Sequence, residues 1–181
     1  MAPRIHLVRH GQGYHQLEPL HESRQCPDPE LTNLGVLQCK ALNTTFPEYF
    51  HIDLICASPM RRTILTAKYC FASTLERTAP ILLQPLAQED TDEPCDVGSA
   101  PDALKKEFGD LIDTSLVKEG WNSKKGIYAP TPEALRDRAR QLRRWLRLCP
   151  EKEVVVVGHG TFFQYVIGDV DGQGHITGMC P

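Results

Sequence analysis

The sequence predicts an α/β domain: a three-layer α/β/α sandwich around a mostly parallel sheet. Three observations carry that prediction. Short apolar runs alternate with segments of helical periodicity. Several of those runs end abruptly in turns rich in glycine or in Ser-Pro. The last run, residues 154–157, is four consecutive valines, the pattern of a central strand covered on both faces. A chain of 181 residues with 41% apolar and 24% charged residues suits a single domain, 1–181, with one sizeable core.

The elements read in order as follows. Residues 5–8 form a short buried strand that runs into Arg9-His10-Gly11-Gln12-Gly13. Residues 17–30 are polar, hold three prolines, and read as loop. Thr32 is a plausible N-cap for a helix whose apolar face is Leu34, Leu37, Ala41 and Leu42. Residues 53–57 form a second strand. Ser58-Pro59 then caps and opens a helix running to about Leu75. Residues 81–83 are a third strand, 84–102 an acidic loop, and 103–112 helical, with 114–130 ambiguous. Thr131 caps a helix over 131–148, with Leu135, Ala139, Leu142 and Leu146 on its buried face and its six arginines on a solvated one. After the valine strand, Gly158-His159-Gly160 leads into an apolar helix over 161–167. Four glycines among the last fourteen residues argue against a regular strand there, so 168–181 reads as an atypical tail, disordered or truncated.

Two strands therefore deliver a histidine into a glycine-rich turn, His10 and His159. If those strands are neighbours, both imidazoles sit at one edge of the sheet, where open α/β sheets place their chemistry. Glycine lets a bulky anion approach the backbone, and a following helix aims free N–H groups at it. Arg9 adds a planar cation suited to phosphate.

At this point a resemblance becomes specific. Leu7-Val8-Arg9-His10-Gly11 resembles the nucleophile motif of the histidine phosphatase superfamily, the phosphoglycerate mutase-like proteins. Ser58-Pro59-Met60-Arg61-Arg62-Thr63, with Thr66-Ala67 after it, is similar to the second motif, and Val157-Gly158-His159-Gly160 to the third. The motifs stand in family order and the resemblance covers about residues 4–168. It is nearest to fungal phosphoglycerate-mutase-like proteins, in which a Glu precedes Pro-Cys-Asp-x-Gly; here that is Glu89 before Pro94-Cys95-Asp96-Val97-Gly98.

The resemblance implies a phosphatase acting through phosphohistidine on a small phosphorylated metabolite. His10 is the nucleophile, His159 a catalytic partner, and Glu89 the acid that protonates the leaving oxygen, with Asp90 as the alternative. Arg9, Arg62, Gln16 and Gly160 bind phosphate, and Arg61 is a neighbour on the helix surface. No metal or other cofactor is implied. From the residue types, His10 must be neutral on its attacking nitrogen, its other nitrogen donating to a backbone carbonyl. Gln16 stands where the family often has Asn, and His15 beside it is a substrate contact or a surface histidine. Two other readings compete: a catalytically inactive binding protein on the same fold, and a mutase. The mutase is disfavoured because Gly11-Gln12-Gly13 replaces the usual acidic residue followed by Ser or Thr, and because the chain is short.

Composition bounds the partners. The net charge of −3 argues for neither nucleic acid nor a membrane surface. The pattern shows no secretory leader and no apolar run of about 20 residues for a span. The seven cysteines are scattered without metal spacing and read as free thiols of a cytosolic, or cytosolic and nuclear, protein. Oligomeric state and substrate identity are not legible.

Overall fold

The computed structural model describes residues 2–46 and 51–168. The atypical tail expected over 168–181 lies outside them apart from Gly168. Among the described residues, five strands form one all-parallel sheet: β1 (Arg4–Arg9), β2 (Leu54–Ala57), β3 (Ile81–Leu83), β4 (Ile112–Asp113) and β5 (Glu153–Gly158), in the order β1-β5-β2-β3-β4. The helices are α1 (Leu20–Ser23), α2 (Asn33–Thr45), α3 (Arg61–Cys70), α4 (Ala72–Leu75), α5 (Pro101–Phe108), α6 (Pro132–Arg147) and α7 (Gly160–Ile167).

The valine strand explains the layering. Val154 to Val157 are fully buried, and successive side chains of a strand point to opposite faces. Val155 and Val157 pack into one core with Ile55, Ile64, Phe71 and Trp121. Val154 and Val156 pack into the other with Leu135, Leu142, Phe162 and Phe163. Burying each valine contributes about 1.5–3 kcal/mol, and the two cores hold helices on both faces of β5. β1, at one end of the described sheet, is half-buried rather than buried.

Several local expectations are corrected. Residues 17–30 are not all loop, since α1 forms one turn within them. Thr32 does cap α2, its hydroxyl accepting from Gly35 N at 3.0 Å. Of the predicted face, only Leu42 packs against the core. Leu34 and Leu37 are 52% and 62% exposed, Ala41 is exposed, and Gly35 and Cys39 are buried. The reason is close packing: a Cβ on Gly35 would lie 2.1 Å from the Gln12 carbonyl oxygen. The helix turns its glycine, not its leucines, toward the loop after β1.

The second helix starts at Arg61, not at Ser58-Pro59, and breaks at Phe71 before α4. Asp28, on the segment before α2, supplies the missing cap, its Oδ1 accepting from Arg61 N at 3.0 Å. The helix expected over 103–112 ends at Phe108, and β4 follows. α6 keeps its predicted cap and apolar face. Its arginines are not all solvated, because Arg138 is fully buried. No helix among the described residues is long and apolar enough to cross a membrane.

Candidate active site

Parallel pairing puts four strand ends in line. Arg9 pairs with Gly158, and His10 N donates to Gly158 O at 3.0 Å. Ser58 N donates to Val157 O, and Gln84 N to Ala57 O. The residues that follow each strand therefore meet at one edge, and His10, His159, Ser58 and Glu89 come from four connections. The two histidine rings stand 5.3 Å apart, centroid to centroid. One nitrogen from each and a Glu89 carboxylate oxygen lie within 4.8 Å of one another.

His10 is 6% exposed, and its Nδ1 lies 2.7 Å from Gly11 O. A carbonyl can only accept, so Nδ1 carries the proton and Nε2 keeps its lone pair. Burial, then the neighbouring His159 and Arg62, hold the His10 pKa well below 6.5, so the ring is neutral near neutral pH. The loop carrying it is held closely. Gly11 N donates to Thr66 Oγ1, which donates to Arg62 O, and a Cβ on Gly11 would meet Gly35 O at 2.8 Å.

His159 is fully buried. Its Nε2 lies 3.0 Å from Ser58 Oγ, and its Nδ1 lies 3.3 Å from Glu89 Oε2 and 3.4 Å from Arg62 Nη2. Burial and Arg62 lower its pKa. Glu89 has its pKa raised, chiefly by burial and further by the Asp96 charge. Asp90, hydrogen-bonded to Glu89, is raised to about 8 by burial and by that partner. Two adjacent carboxyls so placed keep one proton between them where an exposed carboxylate has none. Of the two, Glu89 is the one gathered with the histidines.

The expected phosphate ligands divide. Arg9 and Gly160 border an open cleft of about 660 Å³ that also reaches His10, Glu89, Asp90, Gln16 and His15. The Arg9 guanidinium has no hydrogen bond or ion pair among the described residues, and it lies against Gly160 at the start of α7. Gln16 faces the same cleft, but its Oε1 accepts from Gly13 N at 2.9 Å, which leaves its amide nitrogen for a ligand. His15 is no surface histidine. Its Nδ1 is buried without a partner, and burial and Arg62 push its pKa down to about 4.

Arg62 is the departure. It is fully buried, donating to Cys95 O at 2.7 Å and to Asp96 Oδ1 at 2.8 Å. It lies beside His159 and is not among the residues lining the cleft, and its Nε has no partner. Arg61, as expected, is a neighbour that pairs with Glu107 and Glu30. The spacing of His10, Glu89 and His159 would also suit a metal ion. Yet His10 Nδ1 and both His159 nitrogens already have partners, so few donors remain free for one.

The comparisons with known proteins give the family and the fold. The family model described as histidine phosphatase superfamily, branch 1, matches residues 5–176. The chain belongs to that superfamily. A Schizosaccharomyces pombe protein named a probable phosphatase is 33% identical over 159 residues, covering 86% of this chain and 73% of its own. A phosphoglycerate mutase-like protein of Arabidopsis thaliana is 24% identical over 205 residues, covering 94% and 73%. Among solved structures, the alpha-ribazole phosphatase of Shigella flexneri superposes with a TM-score of 0.58 at 17% identity, covering 93% of this chain and 80% of its own. A mycobacterial glucosyl-3-phosphoglycerate phosphatase gives 0.53 at 18%, covering 90% and 78%. These two establish the fold.

Within this histidine phosphatase, four supporting residues had no role in the site assigned from the sequence. Ser58 orients His159. Asp96 holds Arg62; burial works against its charge, but Arg62 and the Thr91 hydroxyl outweigh that and keep its pKa low. Arg138 donates to Gln88 O and Glu89 O, and Lys124 donates to Glu89 O, so two cations fix the backbone of the acid. Helical spacing carried a signal for Arg138, which falls three residues after Leu135 on the apolar stripe. Asp96 stood in a recognisable motif without chemistry to explain it.

Proposed function

We propose that this chain is a metal-independent phosphomonoesterase that acts on a small phosphorylated metabolite through a phosphohistidine on His10. Membership of the superfamily and the phosphatase-named relative support a phosphatase-type function. The observation that carries the finer reading is the His10 Nδ1–Gly11 O hydrogen bond. It leaves a neutral nitrogen nucleophile beside a carboxyl group of raised pKa.

In the first step His10 Nε2 attacks phosphorus and the bond to the leaving oxygen breaks. Protonated Glu89 gives that oxygen its proton, and the alcohol departs. A neutral nucleophile adds no negative charge to an already anionic ester, and the ring becomes cationic while Nδ1–H still donates to Gly11 O. In the second step Glu89, now a carboxylate, takes a proton from water as its oxygen attacks phosphorus. The N–P bond breaks, phosphate leaves, and His10 and Glu89 return to their starting states. Arg9, Gly160 and Gln16 hold the phosphoryl oxygens from the cleft side. Arg62 stabilises their charge from beside His159, as a fixed cation in a low-dielectric surround.

A non-catalytic binding protein is the competing reading, and one observation favours it: Asp96 neutralises Arg62. Phosphate release from p-nitrophenyl phosphate between pH 5 and 7, with excess EDTA, separates the two. The proposal expects turnover undiminished by EDTA. No release from folded protein contradicts the proposal and favours the binder, and release that EDTA abolishes contradicts the metal-free mechanism.

A further inference from the structure

Resting on the phosphatase reading, we infer that the leaving group is a small alcohol rich in hydrogen-bond donors and without negative charge. Bisphosphates and phosphorylated acids are therefore poor substrates. Two independent features of the cleft beyond the phosphate position carry this.

The first is charge. The cleft lining holds five carboxylates, Glu18, Glu89, Asp90, Glu93 and Asp96, against two guanidiniums, Arg9 and Arg24. Arg62 neutralises Asp96, and one proton shared by Glu89 and Asp90 removes a further negative charge, which leaves about three against the two guanidiniums, with Glu18 and Glu93 as the outer carboxylates. Arg9 lies at the phosphate end. Arg24, the single cation further out among the lining residues, is paired with Glu93 at 3.1 Å. That pair joins two segments of the lining, which are also tied by Cys95 N donating to Arg24 O at 3.0 Å. A second anion on the substrate meets Glu18 and Glu93 and has no unpaired cation to meet. An ammonium or a hydroxyl meets acceptors.

The second feature is an unpartnered acceptor. Gln164, on α7, lines the cleft and is 5% exposed. Its side-chain Oε1 is buried with no hydrogen-bond partner. A buried amide oxygen in that state loses its hydration with nothing in return until a donor arrives. The hydroxyls of Thr91 and Thr161, on the same lining, can donate or accept. The wall thus matches a polyol or an amino alcohol.

Three esters of similar size test the inference: glycerol 3-phosphate, O-phosphoethanolamine and 3-phosphoglycerate, whose leaving alcohols are neutral, cationic and anionic. The kcat/KM for at least one of the first two is expected to exceed that for the third by about tenfold or more, as one uncompensated like-charge contact dictates. Glu93→Gln frees Arg24, so the ratio of 3-phosphoglycerate to glycerol 3-phosphate turnover rises about tenfold. Gln164→Leu lowers glycerol 3-phosphate relative to p-nitrophenyl phosphate by about tenfold, because the lost acceptor had met a hydroxyl. The inference is overturned if 3-phosphoglycerate matches or beats the other two. It is also overturned if p-nitrophenyl phosphate is hydrolysed while none of the three is. Failure to hydrolyse p-nitrophenyl phosphate sinks the phosphatase reading itself, and this inference with it.

Discussion

A His10→Ala variant is expected to lose phosphatase activity by at least about 10⁴-fold while remaining folded. The loss is in kcat, because the phosphate contacts proposed for Arg9, Gly160 and Gln16 do not pass through the imidazole. Little stability is at stake. Among the described residues the ring makes one hydrogen bond, to the carbonyl of the next residue, worth about 1 kcal/mol, and its burial keeps a basic group from charging. The comparison uses steady-state turnover together with a thermal melt. A variant with residual activity within tenfold of wild type would remove His10 from the mechanism. A variant that melts far below wild type would show that the loop, rather than the nucleophile, depends on the ring.

The second large effect belongs to Glu89. Glu89→Gln keeps the shape but cannot donate or accept the proton that the leaving group and water exchange. With an alkyl ester such as glycerol 3-phosphate, the loss is expected to be roughly 10²–10⁴-fold, the usual worth of positioned acid–base help. With p-nitrophenyl phosphate it is much smaller, because that phenol departs as an anion without help. The pH profile gives the same residue a second signature. Activity falls on the acid side as His10 takes a proton, below pH 6.5 because burial, His159 and Arg62 depress its pKa. It falls on the alkaline side as the Glu89–Asp90 pair loses its proton, above the ordinary carboxylate range because burial raises both, Asp90 to about 8. In Glu89→Gln the alkaline limb loses the group that sets it. Equal losses on both esters and an unchanged alkaline limb would transfer the acid role to Asp90.

Much of this site was legible because it is built on strand ends. The period of the valine strand and the glycines after His10 and His159 fix two positions without any tertiary knowledge, and parallel pairing does the rest. What was not legible depends on contacts between segments distant in sequence. Leu34 and Leu37 of α2 point outward because Gly35 must touch the Gln12 carbonyl, 23 positions before it in the chain. The start of α3 is set by the Asp28 carboxylate rather than by its own Ser58. Arg62 reads as a phosphate ligand in sequence, yet Asp96 and the Cys95 carbonyl close around its guanidinium, 34 and 33 positions later. Arg138 reads as one of a solvated set, and only the path of the Glu89 backbone shows why it is buried.

The central claim is that phosphate passes through His10. Rapid acid-free quenching of the enzyme with excess substrate, followed by mass analysis of the intact chain and its peptides, tests it directly. The account predicts a phosphoryl adduct on the peptide holding His10, stable to alkali, labile to acid, and absent from His10→Ala. Turnover of the wild type with no such adduct at any quench time, or an adduct that survives in His10→Ala, would contradict it.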